Sequence, residues 1–84
     1  MSALKEQVTE FLISPKWTDS EKWVIKWQFR QLSHFQMALA MVIQLADDNN
    51  LEKLHLGFPI QVMGFMMWSE GDLGERLREA GLEI

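Results

Sequence analysis

The stretch Phe35-Gln36-Met37-Ala38-Leu39-Ala40-Met41-Val42-Ile43-Gln44-Leu45-Ala46 carries no charge. Placed on a 3.6-residue repeat, its apolar side chains fall on nearly every side. A helix apolar all round belongs in an interior, so this run is expected to form the central helix of the fold.

Working back toward the N-terminus, Ser33 stands three residues before Gln36, the spacing of a capping box that opens a helix. Thr18 and Glu21 repeat that spacing ahead of a second apolar run with Trp23, Val24 and Trp27, and Gln31 one turn on. This earlier helix is expected to stop near Leu32. The rival is one continuous rod from Ser20 to Ala46. A break at Ser33-His34 is preferred, because a small domain has little room for a helix that long. Before it, Leu4, Val8, Phe11 and Leu12 share one helical face, with Ser2 as the expected cap and Ser14-Pro15 as the stop.

Toward the C-terminus, Asp47-Asp48-Asn49-Asn50 is a polar turn. Asn49 or Asn50 is expected to cap a short helix with Leu51, Leu54 and Leu56, closed by Gly57 at C′. Pro59 suits the first position of the next helix, which carries Val62 and Met63 to Trp68 and ends at Gly71. Gly64 inside it weakens the helix by ~1 kcal/mol but lets a neighbour come close. Asp72 and Glu75 have the spacing of a third capping box, and Gly81 closes the last helix with Leu82 and Ile84 folding back. No segment shows period-2 alternation. The expected fold is all-α, a single domain over residues 1–84, built as an orthogonal bundle of five to six short helices.

The 84 residues include 4 Trp, 5 Phe and 6 Met, and 48% are hydrophobic. So small a body has a thin core, and an apolar excess of this kind points to an exposed interface patch, with a core densely filled by Trp and Met as the alternative. With no cysteine, disulfides, Cys-ligated zinc and thiol nucleophiles are excluded. The first residues lack the basic and apolar regions of a signal peptide. The apolar stretch is broken by Gln44 and stops at Asp47, short of the ~18–20 residues that cross a bilayer. A cytoplasmic protein with no membrane partner is expected. The net charge of -4 argues against nucleic acid.

No catalytic or metal-binding constellation stands out. His34 and His55 are far apart and lack ligand spacing. Asp47 to Asn50 has neither the alternation nor the glycine of a calcium loop. No catalytic residue, metal or cofactor is therefore expected. Trp23, Lys26, Trp27 and Arg30 lie at i, i+3, i+4 and i+7 and share one helix side. They fit a pair of core indoles with cations at the wet rim, an interface hot spot, or a platform for a nucleotide. The Met-aromatic run adds Met66 and Met67, since methionine surfaces adapt to partners. Trp23, Lys26, Trp27, Arg30, Met66 and Met67 are the candidate partner-binding residues.

Lys26-Trp27-Gln28-Phe29-Arg30-Gln31-Leu32, then Phe35, Ala38-Leu39, Ala46-Asp47, Asn50 to Leu54, Gly57-Phe58-Pro59 and Val62, resembles small uncharacterised proteins encoded by bacteriophages and prophages. The likeness covers the middle half of the chain and rests on spaced apolar residues and the Gly-Phe-Pro junction. It implies a non-enzymatic protein that inhibits a host defence factor by direct contact, as anti-CRISPR proteins do, inside the bacterial host cell. The expected partner is a host protein or complex, with a homodimer as an open possibility. An oligomeric nucleotide-sequestering protein and a phage structural or scaffolding protein are the alternatives.

Overall fold

The computed structural model describes residues 2–84, with side chains from Leu4 onward. Six helices run through them: α1 (Ser2–Ile13), α2 (Asp19–Gln28), α3 (His34–Leu45), α4 (Asp48–Gly57), α5 (Pro59–Ser69) and α6 (Asp72–Glu79). There is no strand among the described residues, and the all-α class follows. The cap expected from the Ser2 side chain lies outside the described residues.

The centre is α5, which packs against α2, α3, α4 and α6. This corrects the expectation for α3. Only Leu39, Ala40 and Ile43 of α3 are buried, and its other side is open. Apolar composition alone does not place a helix in the middle; something must let neighbours in. Gly64 does that for α5. A Cβ at Gly64 would stand 2.7 Å from the Ser20 carbonyl oxygen and 3.0 Å from Val24 Cγ2, so the backbones of α2 and α5 meet where no side chain fits. Val24, Ile25 and Val62 are fully enclosed around this contact, with Leu73 and Leu77 of α6.

The helix ends show which sequence signals operate. At α2, Thr18 Oγ1 accepts the Glu21 N–H at 3.2 Å, and the Glu21 carboxylate accepts the Thr18 N–H at 2.8 Å. The box at Ser33 is only half made. Ser33 Oγ accepts the Gln36 N–H, but the Gln36 side chain turns away to accept from Trp23 Nε1 at 2.8 Å. Asp47, rather than Asn49 or Asn50, caps α4: its Oδ1 accepts the Asn50 N–H at 2.8 Å. A carboxylate is at least as good a cap as an amide and also complements the helix dipole. Gly57 is the last residue of α4 rather than the one beyond it, and Phe58 joins α4 to α5 with Pro59 in the first turn. The third expected box is absent. Gly71, at φ 85°, is the N-cap of α6, and Asp72 inside the first turn accepts from Arg76 Nε at 3.1 Å.

The chain leaves α2 at Gln28, four residues before the expected stop. The Arg30 N–H bonds to Trp27 O and the Gln31 N–H to Lys26 O, a Schellman closure with Arg30 left-handed at φ 57°. A left-handed residue ends the helix here, so the continuous rod is excluded. The same closure ends α6, with Gly81 at φ 102° and Leu82 buried beneath it.

Glu21 also ties α2 to α6, accepting from the Arg76 guanidinium at 2.7 Å. Burial pushes the Glu21 pKa up. The Thr18 N–H, the hydrogen bond from Arg76, the Thr18 hydroxyl and the charge of Arg76 together outweigh burial and hold it below the ordinary carboxylate range.

Gly64→Ala is expected to cost about 2 kcal/mol despite its gain in helix propensity, because a backbone carbonyl cannot step aside. Gly57→Ala meets open space and is expected to add up to ~1 kcal/mol. Urea unfolding of both variants checks the opposite signs. Because the Glu21 pKa is depressed by folding, its contribution exists above the unfolded pKa and is lost as pH falls through the folded one. Glu21→Gln is therefore expected to lower stability at neutral pH by ~1–3 kcal/mol. Its curve should converge on the wild type below the ordinary carboxylate range, as followed by urea midpoints against pH.

Candidate protein-binding surface

The sequence-predicted residues divide between interior and surface. Trp23 is 7% exposed. Its indole N–H is taken by Gln36, and its ring lies 5.6 Å from Trp27. Trp27 is half-buried and leans on Phe65 at 6.2 Å, so both indoles fill the seam between α2 and α5. A base entering between them would first have to part Trp23 from Trp27. Lys26 is exposed and, with Lys22, Asp19 and one edge of Trp23, lines a cleft of about 470 Å³. Arg30 lies beyond the helix end, so the four-residue edge read from helical spacing does not hold together. Met67 packs against the core, whereas Met66 is exposed on another side of α5.

Met66 belongs to a larger apolar surface that sequence reasoning largely missed. Helix α4 contributes no buried residue. It lies between two grooves. One, of about 440 Å³, runs between α3 and α4 and is lined by Val42, Leu45 and Leu54. The other, of about 850 Å³, runs between α4 and α5, with Leu51, Leu56, Val62, Met63 and Met66 as its apolar lining. Leu56 is 85% exposed there. Lys53 borders both grooves. A signal for this surface was present: Leu51 and Leu54 share a face of α4, and Leu56, five residues after Leu51, points elsewhere. Three leucines on two faces exceed what one core contact can cover.

The wider groove combines an apolar lining with a polar rim. Thioether and leucine side chains form its walls, and Asp48, Glu52, Lys53 and His55 border it. Methionines can repack around different shapes, and a groove of this form suits the apolar face of a helix. Among the described residues no three of His, Asp and Glu gather closely enough to hold a metal ion. No described helix is long and apolar enough to cross a membrane. Comparison with protein-family models, curated proteins and solved structures found no match to this chain.

The placement of the indoles is open to a direct check. Trp27→Ala is expected to destabilise by ~2–4 kcal/mol, the range for emptying a large aromatic site that is partly covered. Lys26→Ala is expected to stay within ~0.5 kcal/mol of wild type, as for a solvated side chain. Thermal melts of the two variants give the comparison.

Proposed function

We propose that this chain is a non-enzymatic binding protein that receives an amphipathic helix of a protein partner in the groove between α4 and α5. The observation that carries this reading is the exposure of Leu56, Met63 and Met66 around one continuous groove of about 850 Å³. Leaving large apolar side chains in water is unfavourable by about 25 cal/mol per Å², and covering them drives association. Charge supports the choice of partner. Asp48 and Glu52 stand one turn apart on the rim and outnumber its one lysine, Lys53, with His55 beside them, and the chain carries a net charge of -4. A helix with basic residues beside its apolar stripe fits that rim and is steered toward it.

The resemblance to small phage-encoded proteins supplies a finer reading: the partner is a component of a bacterial defence system, and occupying its functional surface inhibits it. Small size, acidity and an apolar groove are consistent with inhibition by contact. In this reading Met66 remains at the binding surface, Lys26 and Arg30 lie outside the groove, and Trp23, Trp27 and Met67 support the fold behind it.

The test uses two exposed positions whose replacement leaves the core alone. In bacteria with an active CRISPR–Cas system, wild-type expression is expected to raise phage plaque counts. Met63→Glu with Met66→Glu is expected to abolish that effect while circular dichroism and the melting curve stay as in wild type. Unchanged plaque counts with the wild type would remove the anti-defence reading. Equal activity of both proteins would place the site elsewhere.

A further inference from the structure

We propose that the outward face of α3 is the interface of a symmetric homodimer. This goes beyond the groove reading and stands on a different helix. On α3 the inner face, Leu39, Ala40 and Ile43, is covered by the chain itself. On the outer side Phe35 is 62% exposed, Met37 42%, Met41 63%, Val42 50% and Leu45 81%. Ala38, Met41 and Leu45 form the middle of this face at i, i+3 and i+7, and Val42 continues it into the groove beside α4. A helix apolar on all sides is stable in water only when both sides are covered, and here one side lacks its cover.

The exposed area matches what a second copy needs. At roughly 150–200 Å² for a large apolar residue, those exposed fractions amount to about 500 Å². A standard interface buries ~800 Å² on each partner, and in homodimers ~65% of that is apolar. The exposed apolar area of this one helix is thus comparable with the apolar part of such an interface.

The charge pattern leaves this face open to a second copy of the chain. Each protomer carries -4, so two copies repel wherever their acidic surfaces meet. Phe35 to Ala46 carries no charge of either sign. Two α3 helices can cross antiparallel about a two-fold axis without placing like charges together. Symmetry makes the same patch serve both protomers. Ala38 gives the crossing a small residue, which favours close approach of the helix axes, and Met41, in the middle of the stripe, falls near the axis.

Sedimentation of the wild type is expected to give twice the 9.8 kDa chain mass. Met41→Glu with Leu45→Glu should return it to the single-chain mass with its helicity retained, since both side chains are exposed. A wild type that stays at the single-chain mass at every concentration overturns the proposal and leaves the face to a different protein. A double variant that remains dimeric also overturns it, by placing the contact elsewhere. If the double variant loses helicity, Met41→Cys decides the matter, because the chain has no other cysteine. Mild oxidation is expected to join two Met41→Cys chains, whereas Glu10→Cys on α1 should stay unjoined; equal yields from the two overturn the proposal. Glutamate at Met41 and Leu45 leaves Met63 and Met66 intact, so failure of dimerisation and failure of partner binding are read separately.

Discussion

The contact of α2 with α5 over Gly64 organises this protein. The two helices cannot meet this closely at any residue with a side chain, since a Cβ there would stand 2.7 Å from a backbone oxygen. Val24, Ile25 and Val62 are all buried in the core beside this contact, and the close approach sets Trp23 and Trp27 along the seam where Trp27 meets Phe65. With α2 seated, α5 has its remaining sides free for α3, α4 and α6. A glycine that weakens its own helix thus makes that helix the hub.

Around the hub, polar groups hold register rather than supply bulk stability. Glu21 joins the start of α2 to α6 through Thr18 and Arg76. Gln36 joins α3 to the seam by accepting from both Trp23 and Gln61. Gln7 reaches across from α1 to donate to the Gly81 carbonyl at 2.6 Å. The Glu21–Arg76 and Gln7–Gly81 links join residues 55 and 74 positions apart. Among the described residues no buried side-chain nitrogen or oxygen lacks a partner, which a low-dielectric interior requires.

The thin core has a consequence for the surface. Helices α1, α2, α3, α5 and α6 all place hydrophobic side chains in the core. α3 gives one face to the core, and α4 gives partly buried Leu51 and Leu54 but no fully buried residue. Their remaining apolar residues form a connected surface of two grooves and a helix face. The composition is more apolar than the core can take up, and the surplus side chains stand in water.

How much of this was legible depends on range. The sequence by itself determined the helices and most of their ends, because these obey local chemistry: Thr18 and Glu21 close a box within one turn, Pro59 opens α5, and Gly81 takes a left-handed φ that suits glycine. It misjudged the end of α2, where Arg30 adopts a conformation rare for a residue with a side chain. It also misjudged Asp72, where Gly71 had already opened the helix. Which apolar helix lies inside was beyond local reading. The run from Phe35 to Ala46 and the run around Gly64 are both strongly apolar, and only packing shows that the glycine admits a neighbour while the unbroken run remains half uncovered. The candidate site divides for the same reason. Helical spacing placed Trp23, Lys26, Trp27 and Arg30 on one side, but the tertiary structure closed α2 before Arg30, drew both indoles into the seam and left Met66 facing a groove whose other wall comes from α4. Burial is a property of pairs of elements, and no single helix carries it in its own pattern.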